Sequence, residues 1–420
     1  MKNIFNPNSI ALIGASEEKN TVGLGISQNL LKSNKKIFFI NPNRKSVLGI
    51  DCYNKINDVE ESIDLAIIAV PAKVVKNVVL DCVSKKVKGV IIISGGFREV
   101  GNQKEEEEIR DILKENNIKM IGPNCLGIIS EDINASFSYT TPQKGPVAFL
   151  SQSGAIINSV IDKIGFSKIV SYGNEADLEL VDFLEYLDKD KETKIIAVYL
   201  EGIKDGRRFM DVARKIKKPI VLIKAGRSQI GSVAAGTHTG TLAGNYDVFV
   251  SAMKQVGVIV VDSIEELIDS SKALAYLPKL KDGIGIITNG GGLGVLAADY
   301  CFQYGIDLPH LNKETLTKLK ELKGVSNKIN PLDIIGDAMP QRYQIAMEAL
   351  LSQKNIGGLI VISAPQTMTD HNGNAKIVIE MRKKYPSKPI VCCFHSGDLK
   401  DVPNYSDVLR AVKSIKKLYE

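Results

Sequence analysis

Ile10-Ala11-Leu12-Ile13-Gly14-Ala15-Ser16 sets the pattern of the chain: four apolar residues, then a glycine and two small residues. A short run that is apolar at every position and closed by a turn residue reads as a strand buried on both faces of a parallel sheet. Outward from it, similar runs recur at residues 36–40, 65–70, 90–93 and 119–121, with longer amphipathic stretches such as 104–114 between them. That alternation predicts parallel strands joined by helical crossovers. Residues 130–145, rich in Ser, Thr, Asn, Pro and Gly, break the rhythm and are expected to form a linker. A second set of runs follows at 147–150, 168–171, 195–200, 220–224 and 258–261. A third set begins after Leu277-Pro278-Lys279, at 284–288, 358–363 and 390–394. We expect an α/β protein with domains at 1–129, 146–277 and 280–420, in keeping with a length of 420 residues and a usual domain size of roughly 150.

Composition narrows the function. Hydrophobic residues make up 44% and charged residues 24%, enough apolar material for more than one core, so disorder as the main state is excluded. The net charge of +6, from 54 Lys and Arg against 48 Asp and Glu, is scattered and not gathered in blocks, which argues against a nucleic-acid surface. No apolar run reaches the ~20 residues of a membrane span, and the amino-terminal stretch lacks a secretory pattern, so a cytoplasmic protein is expected. The six cysteines are irregularly spaced without C-x-x-C, and are expected to be free and buried. Cys392 and Cys393 are expected on opposite faces of one strand, and Cys125 ends a strand, where pockets form.

In open parallel sheets, ligands bind beyond the carboxyl ends of the strands. Four loops there carry candidate chemistry. After the first strand, residues 13–23 offer backbone N–H groups to a phosphate at a helix start, although they lack G-x-G-x-x-G. The same edge would add Asn41-Pro42-Asn43-Arg44, Val70-Pro71-Ala72 and Ser94-Gly95-Gly96-Phe97, with Arg44 a natural phosphate partner; tight βα turns would use the same residues with no ligand. Ser151-Gln152-Ser153-Gly154 follows a strand and opens a helix, which makes an anion site or a plain N-cap. Gly231 to Gly244 is a tract of small residues with His238 near its middle, read as a loop that presents an imidazole to a ligand. No accompanying Cys/His pair or H-E-x-x-H supports a metal there. His310, His371 and His395 are expected to be structural or surface residues. Finally, Gly292, Gly294 and Ala297 fit G-x-G-x-x-A after a strand, which leaves an NAD-linked oxidoreductase open. No acidic residue ends a second strand about 20 positions on, where a ribose contact would be expected.

Taken in order, Ile10–Ser16, Gly122-Pro123-Asn124-Cys125-Leu126-Gly127, Ser151–Gly154, Tyr199-Leu200-Glu201-Gly202, Gly236-Thr237-His238-Thr239-Gly240 and Asn289–Gly292 resemble the nucleoside-diphosphate-forming acyl-CoA synthetases. This superfamily includes succinyl-CoA synthetase, and the likeness is strongest to the alpha subunits of ADP-forming acetate–CoA ligases. The resemblance implies a CoA-binding Rossmann-like domain followed by two flavodoxin-like three-layer domains, the second carrying the phosphohistidine and the third completing the acyl site. It implies that CoA is held at Gly14, Ser16, Arg44, Pro71, Ser94 and Gly95. His238 would be the phosphorylated histidine, Glu201 the carboxylate that orients it, and Ser151, Ser153 and Gly154 the helix start that receives it. Asn289 and Gly290 would contact the acyl substrate.

The reaction implied is acyl-CoA, ADP and phosphate in exchange for carboxylic acid, CoA and ATP, through an acyl phosphate and phosphohistidine. The family's ATP-grasp domain is not recognisable in the sequence. ADP or ATP and Mg2+ are therefore expected mainly on a separate beta subunit, in an α2β2 assembly. A different class stays open: a CoA-sensing regulatory module without ligase activity.

Overall fold

Alternate residues of each central strand serve two different cores. In β1 (Ser9–Ile13), Ile10 and Leu12 pack with Leu65 and Ile67, while Ala11 and Ile13 pack with Ala66 and Ile68. A strand feeding two cores must be apolar throughout, which is why these runs lack polar alternation. The computed structural model describes residues 1–239, 245–325, 328–396, 399 and 402–419. The chain divides into two compact units, Met1–Leu267 and Ile268–Glu420.

The first unit holds two sheets. One contains β1, β2 (Lys36–Ile40), β3 (Ser46–Val47), β4 (Ile50–Tyr53), β5 (Leu65–Ile68), β6 (Gly89–Ile92) and β7 (Lys119–Ile121), in the order β3-β4-β2-β1-β5-β6-β7. All its pairings are parallel except that of β3 with β4. The other contains β8 (Gly127–Ile129), β9 (Asn134–Ser136), β10 (Lys144–Ser151), β11 (Phe166–Ser171), β12 (Ile195–Leu200), β13 (Ile220–Lys224) and β14 (Ile259–Val261), in the order β14-β13-β12-β10-β11-β8-β9. One apolar cluster runs from Ile10 and Leu65 to Leu150, Val170 and Val198, so the two sheets share a core.

Residues 130–145 are not the linker expected from their composition. β8 and β9 form an antiparallel hairpin on the edge of the second sheet, and β10 already begins at Lys144. Ile128, Ile133 and Ala135 are buried in the shared core. Some of the hairpin's polar groups are paired from outside it and some within it: Asn29 Nδ2 donates to the carbonyls of Ser136 and Ser138 at 2.9 and 2.8 Å, and Ser136 Oγ donates to Asn134 Oδ1 at 2.6 Å.

The second unit holds β15 (Gly283–Thr288), β16 (Leu332–Asp333), β17 (Ile356–Ser363) and β18 (Ile390–Phe394), all parallel, in the order β16-β15-β17-β18. Cys392 and Cys393 face its two cores from opposite sides of β18, as expected. Among the described residues, no helix is long and apolar enough to cross a membrane.

Candidate functional site

Each sheet reverses its strand order at one place, and there the loops at the strand ends part to leave a crevice. In the first sheet the reversal lies between β1 and β5. Gly14 follows β1 at φ +95°, donates its N–H to Ile40 O at 3.0 Å, and passes so close to β5 that a Cβ would lie 2.2 Å from Ala69 O. Only glycine fits that approach and that conformation. Ser16, Arg44, Pro71, Ser94 and Gly95 all fall in loops on this same edge, after β1, β2, β5 and β6. Ser16 Oγ accepts the Glu18 N–H at 3.0 Å, and Pro71 caps the helix Ala72–Ser84. Ser94 Oγ bonds to both Val70 O and Val70 N, at 2.5 and 3.2 Å, tying the ends of β5 and β6 together. Arg44 faces Glu17 at 3.6 Å and Glu18 at 3.5 Å, so an anionic ligand there would exchange with those carboxylates.

In the second sheet the reversal lies between β10 and β12, and the Ser151 loop meets Glu201 across it. Ser151 Oγ accepts the Ser153 N–H at 3.1 Å and donates to Ser153 O at 2.7 Å, shaping a tight turn before the helix Gly154–Val160. A Cβ on Gly154 would lie 3.0 Å from Leu126 Cβ, so the helix start is pressed against the chain after β7. Gln152 joins this loop to the end of β12. Its Oε1 accepts the N–H groups of Glu201 and Gly202 at 2.5 and 3.0 Å, and its Nε2 donates to Gly202 O and Glu175 Oε2, both at 3.1 Å.

Electrostatics around this crevice are unusual. Burial pushes the Glu175 carboxyl up to about 7, against the Leu180 N–H, Lys204 and Gln152, which favour its charge. Burial, and then the Glu201 carboxylate to which it is hydrogen-bonded, raise the Tyr199 hydroxyl to about 12. Lys224 donates to Glu201 O at 2.7 Å, and burial lowers its ammonium despite the nearby Glu201 charge.

The tract expected to be a loop is helical over Gln229–Thr239, so His238 lies in the last turn of a helix. Ser228 starts it, accepting the Gly231 N–H at 3.1 Å on Oγ. Small residues without proline are compatible with helix, and the sequence reading overweighted its glycines. The helix lies beside the turn Arg98–Val100, which follows β6 on the edge that holds Gly95. The side chain of His238 and residues 240–244 lie outside the described residues.

In the second unit the reversal lies between β15 and β17. Asn289, 2% exposed, donates Nδ2 to Ala364 O at 3.0 Å and accepts Ala364 N–H at 2.7 Å. Gly290 caps the helix Gly291–Gln303, held by Thr288 Oγ1. Gly294, counted in the G-x-G-x-x-A pattern, is explained by packing, since a Cβ would sit 2.9 Å from Thr288 Cγ2. Cys125 is buried, and burial raises its thiol to about 12, which makes it unreactive. A cavity of about 520 Å³ between Asn29, Asn134, Phe166 and Lys194 opens at the amino-terminal ends of β10 and β11, away from these loops.

Sequence reasoning missed Gln152 and Glu175. Gln152 stood inside a quoted motif, and Glu175 carries a positive φ of 54° beside Gly173, a signal visible only in the backbone.

Residues 8–131 match the family described as CoA binding domain, and residues 144–274 that described as succinyl-CoA ligase like flavodoxin domain. Over its full length the chain is 42% identical to the ADP-forming acetate–CoA ligase I of Archaeoglobus fulgidus, and it spans 63% of that relative's length. It is 39% identical to the alpha subunit of ADP-forming acetate–CoA ligase II of Pyrococcus furiosus, over 94% of this chain and 89% of that one. The ADP-forming 4-hydroxybutyrate–CoA ligase of Nitrosopumilus maritimus is 36% identical over 91% of this chain and 57% of its own. The structure of the dinucleotide-forming acetyl-coenzyme A synthetase 1 of Candidatus Korarchaeum cryptofilum, in complex with phosphate and ADP, superposes with a TM-score of 0.93 at 35% identity, covering 100% of this chain and 96% of that one.

Proposed function

This chain belongs to the ADP-forming acyl-CoA ligase family, with the make-up of its alpha subunits, and on that premise we propose that it converts acyl-CoA, phosphate and ADP to carboxylic acid, CoA and ATP, together with a nucleotide-binding beta subunit. The observation that carries the proposal is the joining of the Ser151–Ser153 loop to Glu201 at a sheet reversal, with the His238 helix beside the turn that follows β6.

A phosphate oxygen attacks the thioester carbonyl carbon, the C–S bond breaks, and the thiolate leaves to take a proton as CoA. The first-sheet edge, with Gly14, Ser16, Arg44, Pro71, Ser94 and Gly95, holds the CoA. One imidazole nitrogen of His238 then attacks the phosphorus of the acyl phosphate, and the P–O bond breaks to release the carboxylate. The other ring N–H donates to Glu201, which fixes the tautomer and stabilises the positive charge that develops. Ser151, Ser153 and Gly154 receive the phosphohistidine, whose charge near −2 is favoured by N–H groups at a helix start. His238 hands the phosphoryl group to ADP on the beta subunit. Among the described residues no group of three or more His, Cys, Asp and Glu could hold a metal ion, and the steps assigned to this chain use none.

The domain limits we assign are 1–129 for CoA, 146–277 for the phosphohistidine and 280–420 for the acyl site. The family matches at 8–131 and 144–274 support the first two. Asn289 and Gly290 are assigned to the acyl substrate. Acetate is the first acid to try and 4-hydroxybutyrate the second, after the relatives' names. An α2β2 assembly in the cytoplasm, where CoA and ADP are available, completes the proposal.

The test is an intact-mass measurement of the purified chain mixed with acetyl-CoA and phosphate, without ADP. A single phosphoryl adduct is expected, absent in His238→Ala. No adduct, or one that survives the substitution, would overturn the reading.

A further inference from the structure

The end of β12 poses a local problem. Leu200 is the last residue of the ladder, and the N–H groups of Glu201 and Gly202 emerge at the sheet reversal, where no strand continues beside them. Both are taken up by one atom, Gln152 Oε1, while the other end of the same amide donates to Gly202 O and to Glu175 Oε2. Two donors and two acceptors surround a group with matching capacities, so the amide is saturated. Turning it over would set N–H against N–H and oxygen against oxygen at all four contacts, so its orientation is fixed. Glu175 is fixed in turn, since its Oε1 accepts the Leu180 N–H at 2.8 Å and its carbonyl accepts from Lys204. A chain of hydrogen bonds, buried at Glu175 and partly buried at Gln152, therefore runs from the helix Leu180–Lys189, through Glu175 and Gln152, to the backbone of Glu201.

We propose that Gln152 is a positioning residue for Glu201, clamping the backbone that carries this carboxylate to the Ser151–Ser153 loop so that the two move as one body. The proposal rests on the phosphohistidine reading above and deepens it. A carboxylate that orients an imidazole and a loop that receives the phosphoryl group must keep a fixed separation, because small misplacements at reacting atoms are costly. Gln152 touches neither the histidine nor the phosphate in this scheme. It acts through Glu201.

The experiment follows adduct formation on the full chain from acetyl phosphate by time-resolved intact mass, in wild type, Gln152→Ala, Glu201→Gln and their double variant. We expect Gln152→Ala to slow the maximal rate roughly tenfold to hundredfold, the worth of one or two hydrogen bonds, with half-saturation by acetyl phosphate little changed. The double variant is expected to be no slower than Glu201→Gln alone. A wild-type rate in Gln152→Ala, or losses that multiply in the double variant, would overturn the clamp. An adduct that persists in His238→Ala would overturn the phosphohistidine reading instead. Should Gln152→Ala fail to fold, the exchange decides: Gln152→Glu sets a carboxylate against Glu175, and adding Glu175→Gln restores a donor between them. Partial recovery over Gln152→Glu alone is expected, since the Gly202 carbonyl still lacks its donor, and a folded pair no faster than Gln152→Glu counts against the clamp.

Discussion

Asn289 and Ala364 are joined through both ends of one amide, Nδ2 donating to the Ala364 carbonyl at 3.0 Å and Oδ1 accepting its N–H at 2.7 Å. The bond pair spans the ends of β15 and β17, where the strand order of the second unit reverses. Gln152 does the same for β10 and β12 in the first unit. At such a reversal the backbone leaves the ladder with both an N–H and a C=O unmatched, and a carboxamide is the side chain that supplies both polarities. The residues that hold these crevices open are therefore the residues beside which a ligand would bind.

Asn289→Ala should destabilise the second unit by about 1–3 kcal/mol, because it leaves the partly buried Ala364 N–H without its acceptor and removes one of the donors to the Ala364 carbonyl, which keeps Thr369 Oγ1 at 3.3 Å. Urea denaturation followed by tyrosine fluorescence would measure it. A variant that unfolds with the wild type would show that these bonds carry no weight in the fold.

Glu175 should make stability depend on pH in an unusual direction. Its ordinary value is 4.5 and burial in the folded chain raises it to about 7. The folded state holds this proton more tightly than the unfolded state, so the contribution is complete below pH 4.5 and is lost as pH rises through 7. A displacement of that size corresponds to about 3 kcal/mol at most. Glu175→Gln, which carries no titrating proton, should gain on wild type by about 2–3 kcal/mol between about pH 5 and pH 8. Equal pH profiles for the two chains would rule out a titrating Glu175.

The legible parts of this fold are those where burial acts along most of a strand. β2, β7, β12, β13 and β18 start and stop where the sequence runs do, because a strand between two layers of helices is apolar along its middle, and the lysines of β2, β7 and β13 stand only at strand ends. The hairpin of β8 and β9 was illegible because its polar residues find partners far away in the chain, Asn29 with Ser136 and Ser138. The helix Gln229–Thr239 was illegible because glycine and alanine in the same tract argue in opposite directions. Ser151 could be singled out as a candidate from its loop and Glu201 from the family resemblance, whereas Gln152 was not singled out: a clamp has no signature in sequence, only in what it bridges.

Gly14→Ala should abolish CoA binding by the first sheet. The added Cβ would meet Ala69 O at 2.2 Å, and φ is +95°, where alanine is strained. Either β1 and β5 separate or the loop after β1 moves, and both change the edge on which Ser16 and Arg44 lie. Calorimetric titration with CoA reads the loss directly, and a melting curve shows a destabilisation of at least about 1 kcal/mol. Unchanged CoA affinity would place the ligand elsewhere on the chain.

Asn174→Ala should weaken the union of the two sheets of the first unit, and should do so most at neutral pH. Asn174 Nδ2, from the chain after β11, donates to Glu99 Oε2 at 2.7 Å and Glu106 Oε2 at 2.8 Å, both from the first sheet's side. Burial pushes the Glu99 carboxyl up, but Asn174 together with the N–H groups of Gly96 and Phe97 outweighs it and holds the group below its ordinary value. A depressed carboxyl stabilises the fold above its unfolded value of 4.5, and that stability is lost as pH falls through the folded value. Removing Asn174 should therefore cost about 1–3 kcal/mol near pH 7, with the exposure of Glu99 limiting its share. The deficit should shrink as the solution is acidified through the folded value, where wild type loses the same contribution. Urea denaturation of both chains at neutral pH and along an acid series measures the difference. A deficit that stays constant would mean that Asn174 joins the sheets by packing alone and that its hydrogen bonds to the carboxylates add nothing.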